Sequence, residues 1–212
     1  MNYFELINKC LTELNYKQVY SFTELTKNEH LKIKNIINII NTEVCNSENW
    51  NFLLRRKEFE IPANVSEITN PINGKVAMLL IGGNEYKYSD NFEKFFTNSQ
   101  PRNTYTTFND KLLIPLFDKA QNAEILYYTS NYAKTADGEE KEKLENDTDS
   151  SVIPQFFAEP LLVYGSCMRL KGNPQHIRFS YWLSMYNNAL ANLRSKSAID
   201  ANYSPLIRLR RF

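Results

Sequence analysis

The chain has 212 residues, 42% of them hydrophobic and 13% aromatic, which is enough apolar material for one substantial core or two small ones and too much for a disordered chain. Its 25 basic and 24 acidic residues leave a net charge of +1, so no whole-chain attraction draws it to nucleic acid or anionic membrane. Cys10, Cys45 and Cys167 are widely spaced and form no CxxC pair, and His30 and His176 sit outside any HExxH-type spacing; the pattern reads as buried reduced thiols in a cytosol-made protein, with no zinc site.

The N-terminus, Met1 to Glu5, has no basic region followed by an apolar core and is not expected to be a signal peptide. The longest apolar run, Val76 to Ile81, is far below the ~20 residues that span a bilayer, so no membrane association is expected. From Tyr3 to Leu14, the positions Phe4, Leu6, Ile7, Cys10, Leu11 and Leu14 fit an amphipathic helix. A second helix, with Thr23 or Thr26 as its cap, carries the stripe Leu31, Ile33, Ile36, Ile37, Ile40 and Val44 and ends near Asn46 to Glu48.

After Trp50 and Phe52 the texture changes to short alternating runs. Asn51 to Ile61, Val76 to Ile81, Tyr105 to Phe108, Leu112 to Phe117 and Glu124 to Tyr132 read as strands, with turns at Gly82-Gly83-Asn84, Asn109-Asp110 and Asp118 to Asn122, and with Pro115 at a sheet edge. Phe92 to Phe96 is too short for periodicity to separate helix from strand. Asp137 to Asp149 is acidic and almost free of apolar residues, and it reads as a solvated loop or as a mobile arm that orders against a basic neighbour; it lacks the EF-hand spacing that calcium requires.

Val152 to Lys196 reads as the structural spine, two antiparallel helices separated at Lys171-Gly172-Asn173-Pro174. Gly172 suits a left-handed terminator, Asn173 an N-cap and Pro174 a first helical position. The second helix, of about 20 residues, carries Phe179, Trp182, Leu183, Tyr186, Leu190 and Leu193 on one face, making Trp182, Tyr186 and Leu190 the candidate bundle and lateral-packing residues. Pro160 predicts a bend or a fresh start near Glu159. Small residues at Gly165, Ser166 and Cys167 allow close helix approach. The segment from Ala198 ends in Arg208, Arg210, Arg211 and Phe212 and reads as an extended basic docking tail.

The expected architecture is therefore α+β but predominantly helical: a helical bundle made of an N-terminal helix pair (1–50) and a C-terminal helical hairpin (152–197), with a small antiparallel β-sheet inserted at 51–136, an acidic loop at 137–151 and the tail at 198–212. No nucleophile elbow, phosphate loop, dinucleotide fingerprint or paired metal ligands are found, so neither an enzymatic activity nor a cofactor is expected. Arg55, Arg56 and Lys57 form the other local basic cluster, either a charged strand edge that resists aggregation or a face turned to phosphate.

The order of these parts resembles a known family. Trp50 and Phe52 close the helical pair, Phe59-Glu60-Ile61-Pro62-Ala63-Asn64-Val65 follows, then Lys111-Leu112-Leu113-Ile114-Pro115, Ala123-Glu124-Ile125-Leu126-Tyr127-Tyr128, Ile153-Pro154, Leu162-Val163-Tyr164-Gly165 and Tyr186-Asn187-Asn188-Ala189-Leu190. From Ile36 to Ser195 this arrangement is similar to the tailed-phage head-to-tail adaptor (connector) proteins, the family of the tail tubular protein A of short-tailed phages. The resemblance implies a virion structural protein, made in the host cytoplasm, that assembles with copies of itself into a ring, commonly a dodecamer, in the head-tail neck. Such a ring sits under the portal protein, receives a downstream tail or nozzle protein and lines the exit channel for double-stranded DNA without sequence specificity. Two segments depart from simpler members: the acidic stretch Asp137 to Asp149 and an insertion around Asn84 to Asn103. The alternatives are another phage neck or tail completion protein, and a nucleic-acid-binding module using Arg55, Arg56 and the tail arginines.

Overall fold

The structure is a computed structural model and describes residues 1–97, 99 and 101–202. The chain divides into two compact units, one of residues 1–52 and 131–212 and one of residues 53–130.

The first unit is helical. Helix α1 (Tyr3–Glu13) begins with a capping box in which Asn2 Oδ1 accepts from the Glu5 N–H and the Glu5 carboxylate accepts from the Asn2 N–H, both at 2.9 Å. Its apolar stripe buries Leu6, Ile7, Cys10 and Leu11. Helix α2 (Asn28–Asn46) buries Ile33, Ile37, Ile40 and Val44, the period-3.6 face expected of it. Neither Thr23 nor Thr26 caps it: Ser21 instead caps a single 3-10 turn at Phe22–Glu24, and α2 starts after Lys27 with no side-chain cap.

In chain order the second unit contains strands β1 (Leu54–Ile61), β2 (Glu67–Thr69), β3 (Gly74–Ile81) and β4 (Asn84–Tyr88), then a single helical turn α3 (Glu93–Phe96), and finally β5 (Thr104–Phe108), β6 (Lys111–Leu113) and β7 (Gln121–Thr129). They form one seven-stranded sheet in the order β1-β7-β3-β4-β5-β6-β2, antiparallel except where β4 runs parallel to β5. Gly82 and Gly83, at φ 55° and 78°, make the two-residue β3–β4 hairpin, and Asn109 and Asp110, at 47° and 58°, make the β5–β6 hairpin; both connections place positive φ at two successive positions, as the twist of a tight hairpin demands. Ile61, Leu79, Ile81, Leu112, Ile114 and Ile125 form the buried core of this unit.

This sheet corrects the expected fold class. The protein is α+β with 39% helix and 24% strand, and its sheet is large, curled and mixed, so a predominantly helical bundle with a small antiparallel insertion does not describe it. The physical reason lies in strands that hide in sequence. β2 is three residues of which none is buried, and β4, Asn-Glu-Tyr-Lys-Tyr, buries only Tyr86; neither carries the apolar signal by which strands are counted. Strand β6 stops at Leu113, which leaves Pro115 outside the strand and off any sheet edge.

The chain then returns to the helical unit. Strands β8 (Ala133–Lys134), β9 (Glu140–Lys141) and β10 (Ser150–Ser151) form a small sheet in the order β10-β8-β9. The acidic stretch is thus not a solvated loop. Leu144 is buried, with its N–H donating to Asn38 Oδ1 at 2.8 Å and its carbonyl accepting from Asn38 Nδ2 at 2.9 Å. The Asp149 and Asp147 carbonyls accept from the N–H groups of Tyr3 and Phe4, at 2.7 and 3.2 Å, so the segment closes the open first turn of α1.

Helix α4 (Gln155–Glu159) runs into a π-helical segment at Pro160–Tyr164 and on into α5 (Gly165–Lys171). Pro160 has no N–H to give the ladder, and the helix neither stops nor starts afresh there but widens into the π-helical turn that follows it. Gly172 is left-handed at φ 57° and ends α5. The second helix of the hairpin does not start at Pro174. Asn173 Oδ1 accepts from the Gln175 N–H at 2.9 Å and His176 Nδ1 from the Arg178 N–H at 3.2 Å, holding residues 173–178 in turns, and α6 runs from Phe179 to Asn202. Helix α6 therefore includes 198–202, which correspond to the first part of the expected tail.

Candidate functional site

A cluster of aromatic and charged side chains is locked together at the start of α6. Trp182 is fully buried, its Nε1–H donates to Glu13 Oε2 at 2.9 Å, and its indole stacks on the His176 imidazole with ring centroids 5.0 Å apart. Arg178 donates to the Glu13 carbonyl at 3.1 Å and reaches the same carboxylate at 3.5 Å. One carboxylate on α1 thus fixes both the indole and the guanidinium that lead into α6. Tyr164 and Tyr181 meet edge to face, centroids 5.5 Å apart, and burial followed by the bond to Tyr181 pushes the Tyr164 hydroxyl well above its ordinary value.

Once these side chains are committed inward, the others at this end point out. Ile177 is 93% exposed, and Tyr181 and Leu183 are exposed as well. Phe156, on α4, is 80% exposed and rests edge to face against the ring of Phe157. Near α4 lies a groove of about 330 Å³ lined by Asn51, Phe52, Pro154, Leu193, Lys196 and Ser197. Aromatic and branched side chains of this kind, exposed on a unit whose core is already filled, supply the chemistry of protein contacts: large apolar area with polar groups beside it.

Of the residues singled out in sequence, Trp182 is a core anchor, while Tyr186 and Leu190 are half-buried on the same helix. Burial raises the Tyr186 hydroxyl above its ordinary value. Arg55, Arg56 and Lys57 alternate along β1, so they do not act as one cluster. Arg56 pairs with Glu124 at 2.6 Å across the β1–β7 ladder and with Glu58 at 2.9 Å, while Lys57 donates to the Pro71 carbonyl at 2.6 Å. Hydrogen bonding to Glu124 holds the Arg56 guanidinium even more firmly protonated than usual. Arg208, Arg210, Arg211 and Phe212 lie outside the described residues.

Two features escaped the sequence reading. Asp149 is 1% exposed and sits on Lys141 at 2.6 Å while accepting from the N–H groups of Glu145 and Asn146, at 2.7 and 2.6 Å. Burial opposes its ionisation, yet the Lys141 ammonium and the two N–H donors outweigh that and hold the carboxyl below its ordinary range. Ile177 was the other; it breaks the polar turn before α6, and only its lack of any periodic partner distinguishes it in sequence. Among the described residues no group of three or more His, Cys, Asp or Glu is disposed to hold a metal ion, and no helix is long and apolar enough to cross a membrane. Neither a protein-family model nor a curated protein matches the chain.

Proposed function

We propose that the chain is a structural adaptor of the phage head-to-tail kind: a subunit of a ring that sits under a portal, carries the next tail component and surrounds the passing DNA. The observation that carries the reading is the exposed apolar start of α6 in a finished helical unit, Ile177, Tyr181 and Leu183 beside the locked Trp182. A ring subunit contacts identical neighbours through two different faces, and such heterologous contacts close when the rotation between copies is right. Apolar side chains at one end of a rigid helix are suited to one half of that contact. The order of motifs from Ile36 to Ser195 supports the same reading. The cross-strand neutralisation of Arg56 argues for a channel wall of mixed charge, along which DNA slides without a strong hold, over a dedicated nucleic-acid-binding module.

The test is assembly. The purified chain, alone and mixed with its portal protein, is expected to give rings in negative-stain images. Ile177→Glu combined with Tyr181→Glu should abolish rings while leaving the circular dichroism of the monomer unchanged. A wild-type chain that stays monomeric at high concentration and neither forms rings on the portal nor binds it would refute the proposal.

A further inference from the structure

The seven-stranded sheet has β1 at one end of its order, with β7 on one side and no strand on the other among the described residues. The neighbouring ladder fixes which backbone groups face that open edge. The Gly82 N–H donates to the Asn122 carbonyl at 2.9 Å, so Asn122, Glu124 and Leu126 turn their N–H and C=O groups to β3, and Ala123, Ile125 and Tyr127 turn theirs to β1. In register these three meet Phe59, Lys57 and Arg55. The N–H and C=O groups of Arg56, Glu58 and Glu60 therefore point away from the sheet, and all three side chains are exposed. No backbone partner meets them there among the described residues. An edge of this kind accepts an added strand, and its side chains decide which strand.

On the outer face of this edge Glu58, Glu60 and the adjacent Glu124 stand against Arg56 alone, an excess of negative charge. A hollow of about 480 Å³, lined in part by Glu58, Glu124 and Leu80, leaves room beside two of these carboxylates. A second copy of β1 is a poor occupant: antiparallel registers centred on the strand set Lys57 against Lys57 or Glu58 against Glu58. The stretch Leu206 to Phe212, outside the described residues, is a good one by sequence. It follows Pro205, holds three arginines and no acidic residue, and places Arg208 and Arg210 at alternate positions. Seven extended residues span roughly 23 Å, close to the roughly 26 Å of an eight-residue strand. With Arg208 opposite Glu60 and Arg210 opposite Glu58, Phe212 falls opposite Arg56, and Ile207 and Leu209 fall opposite Ile61 and Phe59 on the other face. The one mismatch, Arg211 opposite Lys57, is eased because that ammonium already donates to the Pro71 carbonyl. We infer that the open edge of β1 binds residues 206–212 of another copy of this chain as an added antiparallel strand. The inference does not depend on the ring reading, which rests on the start of α6.

Sedimentation equilibrium of the full chain reads the association, and amide hydrogen exchange resolved by residue reads its place. Association should rise with concentration and slow the exchange of the Arg56, Glu58 and Glu60 amides, whereas those of Arg55, Lys57 and Phe59, already bonded to β7, are protected at every concentration. Arg208→Glu combined with Arg210→Glu should weaken association about tenfold or more, and so should Glu58→Lys combined with Glu60→Lys, with circular dichroism unchanged in both. The chain carrying all four substitutions restores the opposite charges and should recover the affinity, a result that general damage to the fold does not give. A wild-type chain that stays monomeric, unaltered association in either double variant, or no recovery in the fourfold variant would overturn the assignment. So would protection of Arg56, Glu58 and Glu60 that is independent of concentration, which would put the stretch on its own chain. Ile177 and Tyr181 are intact in all of these variants, so failure here is separate from failure of the ring.

Discussion

Replacing Trp182 by Ala tests the anchoring of α6 most directly. The side chain is fully buried, stacks on His176 at 5.0 Å and gives its N–H to Glu13 at 2.9 Å. Truncation removes the transfer free energy of a large ring and leaves a cavity that the surrounding helices fill only in part, a loss of ~3–5 kcal/mol. The hydrogen bond adds about 1 kcal/mol, softened because Glu13 keeps Arg178 nearby. Together these give ~4–5 kcal/mol, or a fall of roughly 10–20 °C in the melting temperature of a unit this size. Trp182→Phe separates the two contributions, since it keeps most of the volume and loses only the N–H and part of the ring, at about 1–2 kcal/mol. Urea denaturation followed by far-ultraviolet circular dichroism, which reports the helical unit most strongly, is the appropriate assay. A Trp182→Ala variant within about 1 kcal/mol of wild type would show that the indole does not anchor α6, and the reasoning would fail.

Asp149→Asn should cost ~1–3 kcal/mol, because it removes the buried charge that pairs with Lys141, leaving that ammonium only the more exposed Glu145 at 3.5 Å, and replaces one carboxylate oxygen by an NH2 group; chemical denaturation at pH 7 measures it. The folded-state pKa of Asp149 lies below its unfolded value, so its contribution to stability is fully present above about pH 4 and is lost as pH falls through the depressed folded value; the Asn variant should lack that limb of the acid-unfolding curve. Gly165→Ala places a methyl group 3.0 Å from both Ile40 Cγ2 and the Tyr186 ring, and it should lower stability by ~1–3 kcal/mol, read as a shift in melting temperature.

The helices were legible because burial on one face leaves a trace every third or fourth residue: Leu6, Ile7, Cys10 and Leu11 of α1 and Ile33, Ile37, Ile40 and Val44 of α2 are buried as expected, although Leu31, read into the second stripe, is exposed. The turns were legible for a different reason. Gly82-Gly83, Asn109-Asp110 and Gly172 hold positive φ, and few residue types adopt it without strain. The sheet was underestimated at β2 and β4, short strands that bury no residue or one and are placed by β6 and by β3 and β5; even for the expected strands the pairing was not legible. Arg56 lies opposite Leu126 in register and pairs with the adjacent Glu124, and a single sequence carries no mark of that pairing. The acidic stretch was misread on the same ground. Composition favours solvation, but Asn38 on α2 satisfies both backbone groups of Leu144, and the carbonyls at Asp147 and Asp149 satisfy α1. A segment of few apolar residues is ordered by specific hydrogen bonds to partners on α1 and α2, far away in the chain.

The site residues follow the same division. Trp182 was identified by periodicity, because a core anchor must share a face with other apolar residues. The exposed residues Ile177, before α6, and Phe156, on α4, answer to no such constraint: a contact surface is what remains after the core has taken its share, and it becomes visible only when the packing is known. The three-residue basic run at 55–57 shows the converse error. Adjacent in sequence, its members alternate between the two faces of β1, and the carboxylates of Glu58 and Glu124 take up the charge of Arg56. A linear cluster of like charge on a strand therefore does not concentrate field at one face.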